Sequence, residues 1–169
     1  MLNDLQITTH ADSNLIVPFS EELLQPHSYD ATLDSIIKIA TYNPFTKERG
    51  WLLRDLSKED VELEHGDFAL ASTVEVFTLP QTIVGFVQGK SSVGRNGLQI
   101  ENAGLIDAGF SGAITLELYN MAPWPIKLTK GMSICQIHFT PVEAPRFKNY
   151  SKTGHYNGQR GPTTAVYAI

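Results

Sequence analysis

The chain has 169 residues, 42% hydrophobic and 18% charged, enough for one compact domain with a real core. A formal net charge of −5 argues against a nucleic-acid binder with a broad basic surface, and no apolar run approaches the ~20 residues that span a bilayer. Cys135 is the only cysteine, which excludes an internal disulfide, and the polar start (MLNDLQITTHADSN) lacks a secretory layout. A cytoplasmic protein with no nucleic-acid or membrane partner is expected.

In chain order, β-branched and aromatic segments recur at 15–19, 35–41, 68–77, 82–88, 113–120 and 133–139, separated by Gly, Pro, Asn and Asp. Short strands with turn signals between them predict an all-β sandwich or barrel. Helix is expected to be scarce, limited to single turns near 21–24 and 91–96. Trp51 and Trp124 read as packing groups, residues 55–63 as a charged loop, and His65 and His138 as a turn and a strand residue. The alternation at 113–119 places Ile114, Leu116 and Leu118 on one face and Thr115, Glu117 and Tyr119 on the other. Cys135, within SICQIHF, reads as a small buried hydrophobe. From Lys148 the chain is rich in Gly, Ser, Thr, Asn and Tyr and loses periodicity. Such a tail is disordered or folds over something, so the chain divides into a β domain at 1–147 and a candidate lid at 148–169.

Three segments could carry chemistry. Lys90-Ser91-Ser92-Val93-Gly94-Arg95 follows an apolar strand and resembles a small anion cradle, with hydroxyls and backbone N–H groups beside two cations. It lacks P-loop spacing, and an exposed turn with a capping serine fits it equally well. Residues 104–112 (GLIDAGFSG) set three glycines around Asp107 and Phe110; an Asp there can orient or deprotonate a water, or simply sit in a hairpin turn. Glu117, mid-strand, is either solvated or held in a pocket that suits it to proton transfer.

Together these segments resemble the dCTP deaminase branch of the dUTPase-like superfamily. The matching pieces run in order from Gln25-Pro26-His27-Ser28-Tyr29-Asp30 through residues 66–73, 89–95, 103–117, 125–128 with 131–132, and 156–163. The resemblance implies a distorted β-barrel or jelly-roll subunit, a homotrimer with sites between subunits, and Mg2+ carried on the phosphates of dCTP or dUTP. It also raises dTTP as a candidate inhibitor. By motif, Ser91 and Arg95 help form the catalytic pocket, while Lys90 and Ser92 contact phosphate. The backbone at Ala103 contacts the base and orients the water, Asn102 lies in the substrate-binding set, and Phe110 packs on the deoxyribose. Glu117 is the general base for water attack at cytosine C4. Tyr150, Tyr156 and Gln159 come from the lid.

Asp107 matches the residue that in dUTPases activates water towards the α-phosphate, so two chemistries stay open. The first is deamination of dCTP to dUTP and ammonia, either ending there or continuing to dUMP and pyrophosphate; the second is dUTP diphosphatase action alone. A non-catalytic nucleotide binder is a third reading. One residue fewer separates Ser91 from Asp107 than in deaminases generally. His155 replaces a common lysine, and Asp30-Ala31-Thr32-Leu33 replaces Asp-Leu-Arg-Leu. With one cysteine and neither an H-x-E nor a C-x-x-C signature, any deamination must proceed without a zinc ion of the nucleobase-deaminase type.

Overall fold

The computed structural model describes residues 1–101 and 104–166; Asn102 and Ala103, expected at the base, lie outside the described residues. Chain order gives helix α1 (Asp4–Ala11), β1 (Ile16–Val17), a single 3-10 turn at Glu21–Leu23, β2 (Leu24–Gln25), β3 (Ser28–Thr32), β4 (Ile36–Asn43) and β5 (Glu48–Asp55). Then follow β6 (Val61–Leu63), β7 (Phe68–Thr78), β8 (Ile83–Gly89), α2 (Ser91–Gly94), β9 (Leu98–Glu101) and β10 (Leu105–Ile106). The chain closes with β11 (Ser111–Asn120), β12 (Ile126–Leu128), β13 (Ser133–Pro141) and α3 (Tyr150–Thr153).

The strands form two packed sheets and a small third one. The first runs β5-β4-β7-β11-β9 with β1 beside β7, the second β10-β8-β13-β3-β2, and β12 pairs with β6. Phe77 of the first sheet meets Phe139 of the second at 6.3 Å between ring centroids, marking the core between them. The all-β, dUTPase-like expectation holds. The ladders among the described residues do not close into a barrel, however; the chain steps from β3 to the first sheet through one bridge, Leu33 to Thr73.

Three expectations are corrected. Helix α1 was not anticipated, although Asn3 and Gln6 form a reciprocal capping box that a sequence can reveal. Its Ile7 is fully buried. Val61–Leu63 is a strand inside the expected charged loop, since Val61 and Leu63 are buried and pair with β12. Trp51 and Trp124 are 39% and 54% exposed rather than core packing groups.

The pairing of β7 with β11 is antiparallel and irregular at one point. Ala113 faces Val76 and Thr115 faces Ser72, so Thr73, Val74 and Glu75 stand opposite Ile114 alone. The Thr73 hydroxyl accepts from the Ile114 N–H at 2.9 Å and donates to the Glu75 carbonyl at 2.7 Å, which replaces the missing ladder bonds. The offset is an even number of residues, so alternation survives. Ile114, Leu116 and Leu118 are buried as predicted, and Thr115, Glu117 and Tyr119 are half-buried on the other face.

Glu75 is only 2% exposed. Its carboxylate accepts from the Thr32 N–H at 2.9 Å and the Thr32 hydroxyl at 2.8 Å, tying β7 to β3. Burial raises its pKa above the ordinary 4.5; the bonds from Thr32 oppose that rise and the Asp34 charge adds to it. A carboxyl whose pKa is raised by folding contributes stability at low pH that is lost as pH climbs through the raised value. Glu75→Gln keeps the shape and removes the titration. Its thermal midpoint relative to wild type should therefore rise as pH increases upward from 4.5. Parallel curves across the pH series would remove Glu75 as the source.

Candidate active site

A cleft of about 560 Å3 is lined by residues of β5, β7, β8, β10 and β11 and of the carboxy-terminal segment. Strand β11 supplies Ile114, Thr115 and Glu117, and the turn after β10 supplies Asp107 and Phe110. The carboxy-terminal segment adds Tyr150, Tyr156, Gln159, Thr163 and Ala165. Asp107 and Glu117, assigned separately from sequence, thus line one cavity. Glu117 is half-buried, opposite Leu70 across the ladder, and Asp107 is exposed at the mouth.

Two glycines allow the turn to come this close. Gly109 has φ +86°, and a Cβ there would meet the Gln81 amide nitrogen. At Gly112 a Cβ would stand 3.0 Å from both the Gln159 carbonyl oxygen and the Phe110 ring. Phe110 is buried, with its ring 6.1 Å from that of Tyr150. Burial chiefly, helped by the nearby Asp107 charge and opposed by a backbone bond from Tyr156, raises the Tyr150 pKa, so its hydroxyl stays protonated at neutral pH.

The tail is ordered over the cleft because β11 has an edge to offer. Among the described residues, β9 pairs with β11 from Glu117 to Asn120. Ahead of that stretch the tail takes over. The Ser111 N–H donates to Asn157 Oδ1 at 2.8 Å, the Gly158 N–H to the Ser111 carbonyl at 2.6 Å, and the Ala113 N–H to the Gln159 carbonyl at 3.1 Å. Gln159 Nε2 donates back to the Ala113 carbonyl at 2.8 Å, and the Thr163 N–H donates to the Thr115 hydroxyl at 3.1 Å. Asn149 caps α3 by accepting from the Ser151 N–H, and its Oδ1 also accepts from Gln81 Nε2 at 3.1 Å.

The other predicted residues lie elsewhere in the chain. Lys90 follows β8 at the N-cap of α2, and its ammonium reaches Asp30 Oδ2 at 2.5 Å and Ser133 Oγ at 2.8 Å. Asp30 is 4% exposed, so this pair anchors the turn to β3 and leaves one of three lysine donors. Ser91, Ser92 and Arg95 are exposed on and just after α2, and Ser92 lines a second, smaller hollow with Trp124 and Lys127. Within one chain, neither Ser91 nor Arg95 joins Glu117 in the cleft. Among the described lining residues of the cleft there is no lysine or arginine.

Sequence reasoning missed Trp51 and Phe68 as lining residues, and Asn120 as an anchor. The buried Asn120 amide donates to the Leu63 and Trp124 carbonyls at 2.8 and 2.9 Å, and its Oδ1 accepts from the Ala122 N–H at 2.8 Å. It fixes the far end of β11. Only the hairpin pairing of β4 with β5 brings Trp51 to the cleft, which local pattern could not reveal.

A family model described as dCTP deaminase-like matches residues 1–142. The chain belongs to the dCTP deaminase-like family. It is 39% identical over 98% of its length to a protein from Sulfurihydrogenibium sp. named "dCTP deaminase, dUMP-forming", of which it covers 96%. Among solved structures it resembles the 2'-deoxycytidine 5'-triphosphate deaminase of Agrobacterium tumefaciens, with TM-score 0.69 and 23% identity over 82% of the chain; it spans 46% of that longer protein. The dUTPase of Staphylococcus bacteriophage 80alpha superposes with TM-score 0.51 and 18% identity over 79% of this chain and 93% of its own. These two likenesses establish a shared fold.

The Gln81–Asn149 bond is the tether that can be tested without touching the cleft lining. A single such bond is worth about 1 kcal/mol. Gln81→Ala should speed amide exchange of residues 150–160 about fivefold and leave exchange in β8 and β13 as it was. Unchanged exchange in the tail would show that the edge bonds to β11 suffice alone.

Proposed function

We propose that the chain is a dUMP-forming dCTP deaminase, with overall conversion of dCTP and two waters to dUMP, ammonia and pyrophosphate. The observation that carries this is the convergence of Asp107 and Glu117 on one cleft. Glu117 takes a proton from a water that attacks cytosine C4 and returns it to the amino nitrogen as ammonia leaves. A half-buried carboxylate against Leu70 suits that exchange, because an apolar neighbour keeps competing water away. Asp107 then orients a second water towards the α-phosphate. Phe110 and Tyr150 flank the sugar, and Tyr156 and Gln159 close the cleft from the tail at 148–169, which acts as a lid on the domain at 1–147.

A triphosphate is strongly anionic, and the lining residues described in one chain offer it carboxylates without a lysine or arginine. The exposed Ser91, Ser92 and Arg95, with the remaining donor of Lys90, form the complementary half. That division favours a homotrimer in which one subunit's α2 turn completes its neighbour's cleft. The donor set also fits magnesium held mainly by phosphate oxygens. Such an ion typically takes one or two protein carboxylates at most, and Asp107 at the mouth is within the chemistry required. When bound, it would neutralise phosphate charge. The setting is the cytoplasm, where dCTP and dUTP are found, and dTTP is a candidate inhibitor of the same site.

Incubation with dCTP and magnesium, with nucleotides, ammonia and pyrophosphate resolved separately, tests the chemistry. Glu117→Gln should lower ammonia release by about 10²–10⁴-fold. Asp107→Asn should spare ammonia and let dUTP accumulate in place of dUMP. Wild-type protein that turns over dUTP but leaves dCTP untouched would make this a dUTP diphosphatase.

The shared site has its own test. Arg95→Ala and Glu117→Gln proteins, each inactive, should regain about a quarter to a third of wild-type activity when unfolded and refolded together, because mixed trimers rebuild some intact clefts. No recovery in refolded mixtures of wild-type size would place all the residues in one subunit.

A further inference from the structure

The apolar floor of the cleft continues past Glu117. Residues directly paired in a sheet share a face, so Glu117 and Leu70 make one row and Tyr119 and Phe68 the next. The rows run on into the β4–β5 hairpin, where Lys38 pairs with Leu70 and Ala40 with Trp51. The Trp51 ring lies 6.3 Å from the Phe68 ring, and both line the cleft with Leu70. Their row stands two residues, roughly 7 Å, beyond Glu117 along the strand. Trp51 is 39% exposed, leaving an aromatic surface uncovered at that end.

At the opposite end of the cleft stand Asp107, Phe110 and Tyr150. A nucleotide with its sugar at Phe110 and its C4 at Glu117 must lie along β11. The exocyclic amine of cytosine points away from the sugar, along the N1–C4 axis of the ring. Its leaving nitrogen is then directed towards Trp51, Phe68 and Leu70. An unsubstituted amine gains little from an apolar wall, whereas a small alkyl group on that nitrogen would cover it.

We propose that Trp51, Phe68 and Leu70 form a subsite for an alkyl group on the exocyclic amine, so that the chain also hydrolyses N4-alkylated dCTP. The inference rests on the deaminase reading above. Water adds to C4 with one proton passing through Glu117 to N4, the C4–N4 bond breaks, and the alkylamine departs. The remaining water proton ends on N3 of the uracil ring. For N4-methyl-dCTP the products are dUTP and methylamine, with dUTP continuing to dUMP and pyrophosphate as for dCTP.

The full-length protein is assayed with dCTP and with N4-methyl-dCTP in parallel, following uracil nucleotides together with ammonia or methylamine. The two kcat/KM values should agree within about tenfold. Trp51→Ala should lower the ratio of N4-methyl-dCTP to dCTP about fourfold, the worth of one buried methyl group, and Trp51→Phe should restore it. Turnover of dCTP with no methylamine from the substituted substrate would overturn the subsite while leaving the deaminase reading in place. No ammonia from dCTP would remove that reading and the subsite with it. An unchanged ratio in Trp51→Ala, with both activities falling together, would also overturn it and point to a contact between subunits.

Discussion

The offset between β7 and β11, three residues facing one, is the constraint on which the cleft depends. A regular ladder there would leave Thr73 without its two bonds and would give the Ile114 N–H a β7 carbonyl in place of a hydroxyl. The even offset keeps the faces of β11 in phase, so Leu116 and Leu118 stay in the core while Thr115 and Glu117 line the cleft. Glu75, within the same irregularity, fastens β7 to Thr32, two residues from the Asp30 that holds Lys90. β11 and the Lys90 turn are thus tied to one framework through β7 and β3.

The second organising fact is how the edges of β11 are shared. β9 pairs along one edge near Glu117 and the tail bonds the edge at Ser111 and Ala113, so the tail is held by sheet-like backbone bonds as well as side-chain contacts. Backbone bonding accepts many sequences, which is why a tail of Gly, Ser, Thr and Asn can be ordered. Charge follows a different division. Asp107 and Glu117 line the cleft, and the exposed Arg95 lies outside it.

Much of this was legible in the sequence, and the rest was hidden for definite reasons. Strict period-two alternation marked β11 and put Glu117 on the face opposite Leu116 and Leu118, because a half-buried strand imprints its two faces on the residues. The glycines around Asp107 marked a close turn, and the structure shows at Gly109 and Gly112 what that closeness accommodates. Helix α1 escaped because its face is weakly apolar, leaving only the Asn3–Gln6 box as a signal. Trp51 escaped because its role is set by non-local pairing, Ala40 to Trp51 and Lys38 to Leu70. Composition alone could not separate a disordered tail from an ordered one, since the deciding partner is an open strand edge far away in sequence. Only the family resemblance suggested grouping Ser91 and Arg95 with Glu117; within one chain the cleft is lined by Glu117 and by neither of the other two.

The central claim is that Asp107 and Glu117 act in turn on one nucleotide held in one cleft. The most direct measurement is a time course with dCTP labelled in the base, run in a large excess of unlabelled dUTP. A shared cleft predicts that label passes to dUMP with little appearing in the dUTP pool. Label that accumulates in free dUTP before reaching dUMP would mean that the intermediate leaves, and that the two carboxylates do not serve one bound molecule.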